Sequence, residues 1–151
     1  MPLALLVTFA LAQSPLSSFE GRWQLDAARS DDLAPLAKAL GFPSMLLKLA
    51  SKKPVQQLRL AEGALEVSGD GPLGHHSERF PIDGQATDGE LLGVPFHVTS
   101  TLVDGTLEST GSIELRGKAE HFVLRRSVEG ASMHLVITVG ALTVHRFFTR
   151  L

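Results

Sequence analysis

The chain contains no cysteine, no tyrosine and no asparagine. Without cysteine there can be no disulfide, no thiolate metal site and no cysteine nucleophile. A dominant charge is missing too: 14 Lys and Arg stand against 16 Asp and Glu, with no basic run and no acidic tail, so nothing points to a nucleic-acid partner. No Gly-x-Ser-x-Gly elbow is present, and Gly69-Asp70-Gly71 lacks the strand-to-helix setting of a phosphate loop. The adjacent pair His75-His76 would point to opposite faces of a strand, and no His-x-x-x-His spacing occurs on a helix. No catalytic residue, metal or cofactor is therefore expected. Long hydrophobic runs are scarce. The one of note, Leu3 to Ala12, is too short to span a bilayer. It ends in Ala10-Leu11-Ala12, the small-x-small pattern that signal peptidases accept, although no positive segment precedes it. Residues 1–12 are read as a signal peptide and 13–151 as one domain. Cleavage would make the protein secreted or periplasmic; an uncleaved run would be an apolar arm on a cytoplasmic protein.

What is present is strand pattern. Phe19, Gly21, Trp23 and Leu25 alternate with Glu20, Arg22, Gln24 and Asp26, as in a half-buried strand. Helical spacing follows: Leu33, Leu36, Ala37 and Leu40, with Asp32 as N-cap, Pro35 in the first turn and Gly41 at the end. A second short helix is expected from Ser44, lined by Leu46, Leu47 and Leu49 and stopped by Pro54. Everything after Pro54 reads as β. Phe96, Val98 and Leu102 alternate with His97, Thr99 and Thr101; Met133, Leu135, Ile137 and Val139 alternate with Ser132, His134 and Thr138. Turn signals at Glu62-Gly63, Asp83-Gly84, Asp88-Gly89, Asp104-Gly105, Arg116-Gly117-Lys118 and Glu129-Gly130 divide the runs. The expected fold is all-β: a closed antiparallel barrel of about ten strands, with a two-helix lid inserted after the first strand. A barrel that wide is too large for its own side chains to fill, so it holds a cavity.

Two arginines stand out. Arg125 shares a strand face with Val123, and Arg146 shares one with Val144 and Phe148. A buried guanidinium stays charged and needs an anion. A carboxylate on an apolar ligand would serve. Because Arg125 and Arg126 are adjacent, one faces in and the other out whatever the register. Arg126 facing in near the rim, or neutralisation by Glu108 and Glu120, remains the other reading.

At this point the chain resembles the fatty-acid-binding proteins, the intracellular lipid-binding branch of the calycin superfamily. The resemblance rests on Phe19-x-Gly21-x-Trp23, on Leu33 to Gly41, on Lys53-Pro54 and on Phe80 to Gln85. The family anchors a carboxylate with an Arg, a second Arg about twenty residues on, and a Tyr two residues beyond. Matching Gly130 to a hairpin glycine places these at Arg125, Arg146 and Phe148, where the hydroxyl is absent. Trp23 to Leu33 is two residues longer than the family's spacing, and Trp23 to Asp31 also resembles secreted bacterial lipocalin-like domains. The resemblance implies a non-enzymatic, monomeric carrier of a long-chain fatty acid. Arg125, Arg146 and Phe148 would form the anchor, with Val123, Val144, Phe80, Phe96, Val98, Leu135 and Ile137 as walls and Leu36, Leu40 and Leu47 in the lid. Lys48, Lys52 and Lys53 could bring the lid to an anionic membrane, though a solvated face is the simpler account. Rival readings are a secreted lipocalin-like interaction domain with a packed interior, a haem- or metal-holding barrel, and a lipid-acting barrel enzyme using His121.

Overall fold

In the computed structural model, which describes residues 15–41, 55–71, 74–91, 94–115 and 117–151, the alternating runs become strands. A 3-10 turn, Pro15–Phe19, leads into β1 (Gly21–Leu25), and helix α1 (Ala34–Leu40) follows. The remaining strands are β2 (Val55–Ala61), β3 (Ala64–Gly71), β4 (Gly74–Pro81), β5 (Asp83–Leu91) and β6 (Val94–Val103), then β7 (Thr106–Leu115), β8 (Lys118–Glu129), β9 (Ser132–Val139) and β10 (Leu142–Arg150). Among the described residues α1 is the one α-helix after β1; the second lid helix expected from Ser44 lies outside them, as do Leu47 and residues 1–12.

The ten strands form one sheet in the order β4-β3-β2-β1-β10-β9-β8-β7-β6-β5. Each neighbouring pair is antiparallel, and the first strand joins the last: Trp23 opposite Arg150, Leu25 opposite Phe148. The barrel is nearly closed. Its seam lies between β4 and β5, consecutive in the chain but not bonded as a ladder.

Hairpin turns sit at Glu62-Gly63 and Asp104-Gly105, where both residues of each pair have positive φ, the backbone that suits twisted strands. Asp83-Gly84 and Asp88-Gly89 read as turns but lie within β5. The first marks a register shift between Asp83 and Ala86. The second is a close approach: Gly89 is opposite Phe96, whose ring occupies the space a Cβ would need.

The floor of the barrel is built around Trp23 and Phe19, both fully buried. The Trp23 indole N–H donates to the Phe19 carbonyl at 2.9 Å. Arg150, at the end of β10, lies 4.2 Å over the Trp23 ring and donates to the Ser18 and Glu20 carbonyls. At the opposite end, Leu33, Leu36 and Leu40 of the lid segment pack on Val139, Leu142, Val144 and Phe122. Asp32 accepts the Ala34 amide at 2.9 Å from one position before the cap, and Gly41 ends α1 in the left-handed conformation.

The stretch from β1 to the lid segment is closed by its own hydrogen bonds. The Asp26 amide bonds the Phe147 carbonyl and the Asp31 amide bonds the His145 carbonyl, while residues 27–30 loop out. Ser30 closes the gap: its hydroxyl donates to the Asp26 carbonyl at 2.6 Å and accepts the Phe147 amide at 2.8 Å. The loop then carries Arg29 to within 4.4 Å of the Phe147 ring centroid, on the outer wall. The other face of this aromatic array is His134, stacked on Phe147 at 4.3 Å and bonded to His145 at 2.9 Å between ring nitrogens.

Burial, then the charges of His145 and Arg29, lower the His134 pKa below the ordinary 6.5. Below pH 6.5 the unfolded chain takes up a proton here that the folded chain refuses, so stability falls as pH drops. Urea unfolding midpoints measured from pH 7 to pH 5 should decline, and His134→Gln should flatten that decline.

Candidate functional site

Strand parity decides which arginine enters the barrel. Along β8 the inward positions are Phe122, Leu124, Arg126 and Val128, which lie opposite Val139, Ile137, Leu135 and Met133 of β9. Arg126 is 9% exposed. Arg125 and Val123 therefore occupy the outer wall, unlike the sequence expectation. Arg125 pairs there with Glu108 at 3.0 Å, with 58% of its side chain exposed. Local pattern could not settle this, because β8 carries apolar residues on both faces. The cross-strand partners settle it: Leu107 and Leu135 flank Arg126, while Glu108 meets Arg125. Such an exposed pair contributes at most about 1 kcal/mol. Arg125→Ala should leave ligand affinity unchanged and shift the urea midpoint only slightly.

Arg126 sits in a costly place. Desolvation by burial pushes its pKa down to about 10, and the field of Glu78, on β4, partly opposes that. It remains charged at neutral pH, and its Nη1 is buried with no hydrogen-bond partner. Gln56 presents a buried Oε1 that is also without a partner. One unpaired atom is a donor and the other an acceptor, but they belong to β8 and β2, with three strands between. The Glu residues read as internal partners act elsewhere: Glu108 pairs outside, and Glu120 meets Lys118 at 3.5 Å.

Arg146 shares the inward row of Arg126, both opposite Leu135. The two stand twenty residues apart, with Phe148 two beyond. Arg146 is half-buried and already engaged: Nη1 donates to the Asp31 carbonyl at 2.8 Å. Burial lowers its pKa, opposed by Asp32 and Asp31. It thus ties the base of the lid segment to the last strand while keeping one flank inside.

The apolar wall follows the expected faces. Phe96, Val98, Leu135, Val144 and Phe148 are buried and point inward; Phe80 and Ile137 point inward and are partly buried. The buried side chains fall into three clusters rather than one, bridged by Phe80, Phe122 and Ile137. These bridging residues, with Leu60 and Leu124, face inward and are only partly buried. Leu36 and Leu40 reach the mouth. His121 is exposed on the outer wall. Among the described residues no group of three or more His, Asp or Glu could hold a metal.

Sequence reasoning missed Glu78, Gln56, Ser100 and Ser109 as interior polar groups. Two of them carried a signal: Ser100 is in phase with Phe96, Val98 and Leu102, and Glu78 is in phase with Phe80.

The ten-stranded antiparallel barrel, entered after one strand by a helix, has the fold of solved fatty-acid-binding proteins. The chain superimposes on Echinococcus granulosus fatty-acid-binding protein 1 with a TM-score of 0.76 at 16% identity, covering 90% of this chain and 99% of that one. For a Schistosoma mansoni fatty acid binding protein in complex with arachidonic acid the TM-score is 0.77 at 20% identity, covering 91% and 99%. Secretory abundant heat soluble protein 4 from Ramazzottius varieornatus gives 0.75 at 16%, covering 93% and 99%. At these identities the likeness establishes the fold. No family model and no curated protein matches the sequence.

Proposed function

We propose that this barrel binds and carries a hydrophobic anion, with a long-chain fatty acid as the simplest candidate. One observation carries the reading: a charged, buried Arg126 whose Nη1 has no hydrogen-bond partner among the described residues. Such a group is costly when empty and satisfied by a carboxylate. The acyl chain would supply most of the affinity, at roughly 0.8 kcal/mol per buried CH₂ before association costs. It would lie against Phe80, Phe96, Phe122 and Ile137. The arachidonic acid complex of the Schistosoma mansoni protein supports lipid as the cargo class. With Met1–Ala12 cleaved on export, the carrier would act outside the cytoplasm as a non-enzymatic monomer.

The test is direct. Lipids extracted from the purified protein should include free fatty acids by mass spectrometry, and palmitate should displace a fluorescent fatty-acid probe more strongly than 1-hexadecanol. A protein that arrives without lipid and binds neither compound would instead be an interaction domain with a filled interior.

A further inference from the structure

Ser100 and Ser109 form a cross-strand pair on the inner wall of β6 and β7, at 1% and 7% exposure, with their hydroxyl oxygens 2.7 Å apart. Each hydroxyl carries one donor proton and two lone pairs. The mutual bond consumes one of the two protons. The other, on whichever serine accepts, is not used by that bond. Arg126 stands close by in the ladder: Leu107 is directly opposite it, and Ser109 is the next inward residue on the same strand. Diagonal neighbours of that kind are about 7–8 Å apart at Cα, within the reach of a long side chain. Two buried donors thus lie at adjoining positions: Arg126 Nη1, which has no partner among the described residues, and the serine O–H that the mutual bond does not use. On the β10 wall Phe148 offers no donor, and the Nη1 of Arg146 is spent on Asp31.

We propose that the Ser100–Ser109 pair is the second half of the head-group site. One carboxylate oxygen accepts from Arg126 and the other from the serine hydroxyl left free by the pair. This rests on the carrier reading and extends it, because it places the anion against the β6–β8 wall. The pair is degenerate by construction. If either serine is lost, the survivor's proton, no longer given to its neighbour, is free for the ligand.

That degeneracy sets the test. Dissociation constants for palmitate and 1-hexadecanol are measured on the full chain for wild type, Ser100→Ala, Ser109→Ala and the double variant, with urea midpoints alongside. Each single variant should keep the wild-type acid-to-alcohol ratio within about two-fold. The double variant should lose about ten-fold of it, as expected for one hydrogen bond to a charged oxygen. Its empty form should unfold at no lower urea concentration than wild type, since the proton that the mutual bond does not use has gone. An unchanged ratio in the double variant overturns the proposal and leaves the carrier reading intact. Single variants that lose as much as the double also overturn it, because that pattern marks a pair serving only to brace the wall. Failure of wild type to bind palmitate brings down both.

Discussion

Replacing Arg126 with leucine together with Glu78→Gln should lower fatty-acid affinity about 100-fold while making the empty barrel harder to unfold. The two effects have one cause. Arg126 holds a full charge in a desolvated site, depressed to a pKa of about 10, with Nη1 unpaired. Exchanging buried charges for neutral groups of similar volume is often neutral or stabilising, by about 1–4 kcal/mol. The field of Glu78 supports the charge of Arg126, so the double change removes both sides of that interaction together. Titration with palmitate and a urea melt of the same preparation read both effects. Unchanged palmitate affinity would show that the guanidinium serves the wall and not the cargo.

Trp23→Ala should cost about 3–5 kcal/mol. For a chain of 151 residues that corresponds to a fall in Tm of about 10–15 °C, followed by far-ultraviolet circular dichroism. Trp23 is fully buried at the barrel floor, and three bonds converge on its surroundings. Its indole N–H holds the Phe19 carbonyl, its ring lies under Arg150, and Arg150 in turn reaches the Ser18 and Glu20 carbonyls. The truncation leaves a void and strands a guanidinium. Trp23→Phe retains an aromatic ring and should lose much less. A drop of only a few degrees for the alanine variant would mean that the floor is held by its other apolar residues.

Most of the barrel was legible because strand alternation is a two-residue pattern that survives in short runs. Phe96-Val98 and Met133 to Val139 needed no partner to be read. The Leu33 to Leu40 spacing and Gly41 were equally local. Asp88-Gly89 misled for a physical reason: the same glycine that would relax a turn also makes room for the Phe96 ring across the ladder. The arginine parity was not legible because it is a property of three strands. Only Leu107 and Leu135 on one side, and Glu108 on the other, separate Arg126 from Arg125. The contacts of Arg150 were not legible for the same reason, since Ser18, Glu20 and Trp23 lie at the far end of the chain.

The pairing of β1 with β10 has a consequence for synthesis. A ribosome delivers Gly21–Leu25 long before Leu142–Arg150, so the ring cannot shut until that last strand has been made. Floor and lid root both wait on that late segment: Arg150 for Trp23, Phe147 for Ser30, Arg146 for Asp31. Long-range closures of this sort are slow. Until then the nascent polypeptide stays open and threadable, and later proteolytic loss of His145 to Arg150 would release the floor and the lid root together.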